Sequence, residues 1–284
     1  MTGSRREFLA AVPTALLATA LSGSASVSAG RAQNETETAR MKIQRLEWAG
    51  IKIEFKDAAV FIDATRDRES SANSVELTTT LPSRTALITH HHGDHCDPLS
   101  LKPVLASNGR IVCHHDVAPW FDHHGIQVQT VALHQPVFFS RASASLAAWA
   151  VPAVDGMGHP QNSWIIDGAG KRIIHCGDTL WHGYWWDIAR AYGPFDVAFL
   201  PINGFQQWDG HFAVKSEMPM SLTPDQAAAA AHVLGARLVV PIHYGLTGNP
   251  NYSEVAEPLE TFLKSASKRA LPTKVLGYGE YLEI

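Results

Sequence analysis

Six consecutive residues, His90-His91-His92-Gly93-Asp94-His95, constrain this 284-residue chain more than any other feature. They follow Ala86-Leu87-Ile88-Thr89, a short apolar run of the kind that forms a buried strand. Imidazoles and a carboxylate packed this closely repel one another when protonated and need partners when buried, so as plain core they would be costly. As metal ligands they make sense. His90 and His92 can converge on one ion, Asp94 and His95 can turn toward a second, and Gly93 supplies the sharp bend between them. Such a cluster needs a rigid strand end to present it and further ligands from elsewhere in the chain.

Two downstream segments offer those ligands. Ile173-Ile174-His175-Cys176-Gly177-Asp178-Thr179 puts Asp178 after a strand and a tight turn, and a carboxylate can bridge two cations. Val239-Val240-Pro241-Ile242-His243-Tyr244-Gly245 likewise ends a strand on His243. Each pattern alone is weak; the three in this order point to a centre for two divalent metal ions.

The rest of the chain reads as strands first and helices later. Ile43–Phe55 with Ala59–Ile62 predicts an opening hairpin, and Arg66–Thr80, polar and rich in Ser and Thr, predicts a loop. Further strands are expected at Ile111–Cys113, Val197–Ile202 and Leu238–Ile242. A hairpin is expected where Trp164–Ile166 and Arg172–Ile174 flank Asp167-Gly168-Ala169-Gly170. Thr223-Pro224-Asp225-Gln226 carries an N-cap, a first-turn proline and a capping-box glutamine, so a helix starts there and ends near Gly235. A second helix is expected from Glu254 to about Lys268. Sheets covered by helices follow from this pattern.

Residues 1–30 read as an export signal. Arg5-Arg6-Glu7-Phe8-Leu9 resembles a twin-arginine motif, Ala10–Leu21 is a short apolar stretch, and Val27-Ser28-Ala29 is a small-residue cleavage site. The apolar stretch is too short for a comfortable membrane span, so no stable membrane anchor is expected. Residues 31–40 read as a linker and 41–284 as the functional domain, periplasmic or secreted. A net charge of −4 argues against a nucleic-acid partner. Three cysteines, in no metal-binding or redox spacing, argue against a disulfide framework.

Over residues 41–284 the chain resembles the metallo-β-lactamase superfamily. Its closest likeness is to the branch containing L-ascorbate-6-phosphate lactonase and N-acyl-phosphatidylethanolamine phospholipase D. The resemblance rests on Leu46-Glu47-Trp48-Ala49-Gly50, the histidine cluster, Cys176-Gly177-Asp178-Thr179, Gly193-Pro194-Phe195-Asp196, Thr223–Ala227 and Pro241–Gly245. It implies an α/β fold, an αββα sandwich with the metals at one edge. It also implies His90 and His92 on the first metal, Asp94, His95 and His243 on the second, and Asp178 bridging. The third histidine usual on the first metal is missing. Asp155 stands at its place after Val151-Pro152-Ala153, and His159, four residues on, could replace it only by another loop path. More oxygen in that shell relaxes the preference for zinc and admits manganese or iron.

The activity implied is hydrolysis of an ester, lactone or phosphodiester by a hydroxide held between the metals, with Asp94 and Asp178 as its working carboxylates. The substrate expected is a small molecule or lipid-like compound. A β-lactam hydrolase and a non-catalytic exported metal-binding protein are the alternatives. A redox di-iron protein is disfavoured, because it would carry Glu at His92 and need a flavin module. Two aromatic segments, Leu180–Asp187 and Asn203–Met220, are expected to wall the cleft, the second as a lid.

Overall fold

The chain builds two sheets that pack face to face. The computed structural model describes residues 40–66, 75–105, 108–139, 146–206, 217–246 and 252–284. The export signal, nearly all of the linker and Trp208, His211 and Phe212 of the expected lid lie outside those residues.

The first sheet opens with β1 (Lys42–Arg45), β2 (Ile51–Phe55), β3 (Ala58–Ile62) and β4 (Ser83–Ile88). Helix α1 (Pro98–Leu105) leads to β5 (Arg110–His114), and α2 (Ala118–His123) leads to β6 (Gln129–Val131). The second sheet follows as β7 (Pro136–Phe138), β8 (Ala147–Pro152), β9 (Asn162–Gly168) and β10 (Lys171–His175). It is completed by α3 (Trp185–Tyr192), β11 (Val197–Pro201), α4 (Pro224–Val233), β12 (Val239–Ile242) and α5 (Pro258–Lys268). The last strand, β13 (Tyr281–Glu283), returns to the edge of the first sheet beside β1.

The strand orders are β13-β1-β2-β3-β4-β5-β6 and β12-β11-β10-β9-β8-β7. The pairs β3–β4, β4–β5, β10–β11 and β11–β12 are parallel, so these strands end on the same edge of their sheet. Side chains sort by the two-residue period of the strands. In β3, Val60 and Ile62 face the layer between the sheets, while Ala59 and Phe61 face α1 and α2. In β11, Val197 and Phe199 face inward, while Ala198 and Leu200 pack under α4 and α5. Three apolar layers result, helices–sheet, sheet–sheet and sheet–helices, which is the expected αββα sandwich. Trp164 spans the middle layer, wholly buried, and its indole Nε1 donates to the carbonyl of Ile88 at 3.0 Å.

Three details differ from the sequence reading. The Ile43–Phe55 run breaks at Leu46–Gly50, where Trp48 takes a left-handed φ of 55°, so the opening is a three-stranded meander rather than a hairpin. The last helix starts at Pro258, not Glu254, because Glu257 sits at φ 48° and cannot be helical. Helices α1, α2 and α3 are short and carry no capping-box sequence, and they escaped notice. The helix at Pro224 is as expected: Thr223 Oγ1 accepts from Gln226 N, Gln226 Oε1 accepts from Thr223 N, and Gly235 follows at φ 64°.

This cap gives a direct stability test. Thr223→Ala removes the acceptor and leaves the first-turn N–H groups of α4 short of a partner. Stability should fall by about 1 kcal/mol, seen as a lower urea midpoint at unchanged slope.

Candidate metal centre

The site is assembled from strand ends, and a single carboxylate organises it. Asp63 follows β3, is wholly buried, and takes a left-handed φ of 47°. Its Oδ1 accepts from Thr89 N at 2.9 Å, and its Oδ2 accepts from Thr89 Oγ1 at 2.7 Å and from His95 Nδ1 at 2.8 Å. The Thr89 hydroxyl gives its one proton to Asp63, so it receives the Nδ1–H of His90 at 2.9 Å. Both imidazoles are thereby held with Nδ1 as the donor and Nε2 turned inward, the orientation a metal ligand needs once Nε2 carries no proton.

Around those two nitrogens the other expected residues gather. One donor atom from each of His90, His92 and Asp155 lies within 4.8 Å of the others, and the same holds for His90, His95 and Asp178, and for Asp94, His95 and His243. All seven residues singled out from the sequence therefore meet in one place. His95 Nε2, Asp178 Oδ1 and His243 Nδ1 are buried with no hydrogen-bond partner among the described residues. Unpaired buried polar atoms are destabilising unless something else satisfies them. The donor set, imidazole nitrogens with carboxylate oxygens, suits divalent transition metals. The residues fit the metal ions that the sequence implies.

His175 sets the Asp178 turn. Its Nε2 donates to the Ala49 carbonyl at 2.7 Å, and its Nδ1 accepts from Gly177 N at 3.3 Å. Gly177 sits at φ 63° with Thr89 so close that a Cβ would lie 3.0 Å from the Thr89 side chain. His243, at φ 58°, is held by its N–H to the Trp48 carbonyl at 3.3 Å and by its ring on the Trp48 indole at 4.4 Å. Trp48 Nε1 donates to Asp94 Oδ2 at 3.0 Å.

Asp155 and His159 part company here. Asp155 is buried, and its Oδ2 accepts from the backbone N–H groups of Met157 and His159 at 2.8 and 2.9 Å, while Oδ1 faces His92 Nδ1 at 3.7 Å. His159 meets the other ring nitrogen of His92, with its Nδ1 2.7 Å from His92 Nε2 and 3.9 Å from Asp155 Oδ2. The inner cluster thus contains Asp155 and excludes His159.

Electrostatics follow the packing. Burial, reinforced by His95 and His92, drives the His90 pKa well below 6.5 and keeps it neutral. Burial opposes protonation of His95 too, but Asp94 and the bond to Asp63 outweigh it and raise its pKa to about 9. Partial desolvation works against charge on the half-exposed Asp94, yet His95 and His243 prevail and hold its carboxyl well below the usual range.

A cavity of about 320 Å³ opens over the cluster, lined by His92, Asp94, Asp155, Asp178 and His243 on one side and by Met157, Phe205, Met220 and Tyr252 on the other. Phe205 and Met220 come from the expected lid segment. The segment Leu180–Asp187 does not reach this cavity, contrary to expectation. Trp185 is wholly buried among α4 and α5 residues and stacks on His182, while Trp181 and Trp186 are exposed elsewhere. Of the aromatics in this segment Trp185 serves packing, whereas Trp181, Tyr184 and Trp186 are exposed. Asp63, Met157 and Tyr252 were missed as site residues. Asp63 was legible in principle, since it ends β3 as Thr89 ends the parallel β4.

A match to the beta-lactamase superfamily domain spans residues 58–244, which sets the class of the protein. A UPF0173 metal-dependent hydrolase of Thermococcus kodakarensis is 30% identical over 206 residues, covering 70% of this chain and 80% of its own. The chain belongs to the UPF0173 metal-dependent hydrolases of the metallo-β-lactamase superfamily. The fold is shared with Igni18, a metallo hydrolase of Ignicoccus hospitalis, at TM-score 0.65 and 22% identity over 86% of this chain and 98% of that one. It is shared also with CmlA, a diiron β-hydroxylase of Streptomyces venezuelae, at TM-score 0.68 and 14% identity over 87% of this chain and 54% of that one.

Two outcomes follow for metal uptake. His95 carries a proton below about pH 9 in the metal-free protein and must lose it to bind metal. Zinc affinity should therefore rise with pH, by up to about tenfold per unit from this one group, and level off above about pH 9. Equilibrium competition with a chelator across that range checks it. Asp63→Ala frees both histidines to turn, and zinc affinity should fall by roughly 10- to 100-fold.

Proposed function

We propose that this metal-dependent hydrolase holds two divalent ions and cleaves an ester, lactone or phosphodiester bond in a substrate with an apolar body. The observation that carries the reading is the overlap of the donor sets: His90, His92 and Asp155 on one side, Asp94, His95 and His243 on the other, with Asp178 meeting His90 and His95 between them. Asp178 would hold both ions, which would satisfy an Oδ1 that has no hydrogen-bond partner among the described residues. When bound, two such ions supply Lewis acidity and lower the pKa of water to about 7.

The chain's own residues do the rest. Asp94 is ionised and half-exposed, and the Trp48 indole pins its Oδ2, so Oδ1 is free to orient an attacking water or take its proton. Met157, Phe205, Met220 and Tyr252 give the substrate an apolar wall facing the polar floor, a combination suited to an acyl or organic body with one polar scissile group. The stretches that resemble the lactonase and phospholipase D branch, among them Trp48-Ala49-Gly50 and Gly177-Asp178-Thr179, favour this bond class over β-lactams. Zinc is the native metal proposed. Asp155 in place of a histidine makes the first ion's shell richer in oxygen and leaves manganese or iron as candidates. The paired arginines at Arg5-Arg6 support export in the folded, metal-loaded state to the periplasm or beyond.

The mature protein, loaded separately with zinc, manganese and iron, should hydrolyse members of a panel of lactones, carboxyl esters and phosphodiesters, and chelation should abolish turnover. Asp178→Ala should lower kcat at least 100-fold with loss of metal. Asp155→His should retain two ions and shift preference toward zinc. No turnover on any of the three bond types, with both ions bound, would sink the proposal. Phe205→Ala should raise KM for acyl substrates with little change in kcat.

A further inference from the structure

Outside the inner cluster, His91, His92 and His159 form a second group whose donor atoms lie within 4.8 Å of one another. Among the described residues no carboxylate belongs to the group: Asp155 Oδ2, 3.9 Å from His159 Nδ1, is taken up by the N–H groups of Met157 and His159. The rings of His91 and His159 are 4.8 Å apart, and those of His91 and His92 5.5 Å apart. His91 is steadied by the Trp120 indole, nearly parallel at 24° and 5.9 Å away. Trp120 is in turn covered by His124, whose Nδ1 bonds the Trp120 carbonyl at 2.7 Å. The His159 main chain is fixed by Asp155 at 2.9 Å. This group is open to solvent: the His159 side chain is 42% exposed, whereas His95 is wholly buried.

His92 belongs to both groups. Its Nδ1 lies 2.9 Å from His90 Nε2 and its Nε2 2.7 Å from His159 Nδ1. A neutral imidazole has one proton and one ring lone pair. With the proton on Nε2, His159 Nδ1 accepts it and the lone pair points to the inner cluster. With the proton on Nδ1, His90 Nε2 accepts it and the lone pair points outward. Both tautomers find a partner at hydrogen-bond distance, so His92 can serve either side, but only one at a time.

We propose that His91, His92 Nε2 and His159 form an outer site for a borderline-soft divalent cation such as zinc, copper or nickel. Three imidazoles without a carboxylate favour those ions over magnesium, calcium or manganese. Filling it moves one proton of His92 from Nε2 to Nδ1 and withdraws Nδ1 from the inner group. The outer ion therefore competes with the inner one, and excess zinc inhibits. This rests on the proposed inner ligands only through His92.

The test equilibrates the holoprotein at rising free zinc, with metal content read by mass spectrometry and turnover followed where a substrate is known. The wild type should take up zinc at the outer site with weaker affinity than its resident ions and lose turnover over the same range. His91→Ala should need at least tenfold more free zinc for the same uptake and the same inhibition, with turnover at limiting zinc unchanged. His159→Ala, read by uptake alone, should shift in the same direction. Identical uptake curves for wild type and His91→Ala overturn the outer site. So does loss of resident metal from His91→Ala at limiting zinc, which would place His91 in the inner set. Uptake is measured independently of turnover, so a protein that hydrolyses nothing would count against the proposed function while the outer site still stood or fell on the uptake curves.

Discussion

Everything at the metal centre depends on how Asp63 is satisfied. A buried carboxylate is tolerable only if donors surround it. Here three donors do so, the N–H and hydroxyl of Thr89 and the Nδ1–H of His95. Each of these bonds also does something for the site. The first two clamp the end of β4 to the end of β3, and through the Thr89 hydroxyl they fix the tautomer of His90. The third fixes His95. One carboxylate thus holds two flexible, tautomeric side chains with both Nε2 atoms aimed at the cluster.

Topology supplies the remaining geometry. β10, β11 and β12 run parallel, so Asp178 after β10 and His243 after β12 emerge at one edge. The Trp164 bridge to Ile88 ties that sheet to the strand carrying the histidine cluster. Strain collects at the same edge. Trp48, Asp63 and His243 all hold left-handed backbone conformations without being glycine. Each such residue costs on the order of 1–3 kcal/mol and persists where the surroundings over-determine it. Here the surroundings are mutual: His243 N–H bonds the Trp48 carbonyl, and Trp48 bonds Asp94.

The residues that gather at the candidate metal centre were legible because metal chemistry demands particular residue types, and strand ends are visible as apolar runs closing on a polar residue. His90, Asp178 and His243 all obey that rule. Asp155 was legible as a candidate only through the resemblance, since nothing local marks Val154-Asp155-Gly156 as part of the site. The supporting residues were harder. Asp63 and Thr89 act through contacts 26 residues apart in sequence, and Tyr252 reaches the cavity from beyond β12. The Trp181–Trp186 segment misled for a physical reason: an amphipathic helix packed on a sheet and a substrate wall both call for clustered aromatics, and only the direction of the side chains separates them. Short helices such as α2 leave too little periodicity to read.

The cavity wall and the unusual carboxylate are mechanically one piece. Asp155 pairs with Thr179 in an isolated bridge, and Thr179 carbonyl accepts from Leu222 N. Gly156 lies so close to Met220 that a Cβ there would stand 2.1 Å from the Met220 carbonyl oxygen. Met220 N in turn donates to the Phe205 carbonyl at 2.7 Å. A chain of backbone contacts therefore runs from Asp155 through Met220 to Phe205, from the oxygen donor to the apolar wall. Any displacement of Phe205 or Met220 would press on the same segment that positions Asp155 Oδ1 beside His92. The apolar wall and the group of His90, His92 and Asp155 are thus linked through main chain rather than through side-chain rotamers. This is the stiffer of the two routes, because a packed backbone has no alternative rotamer to relax into.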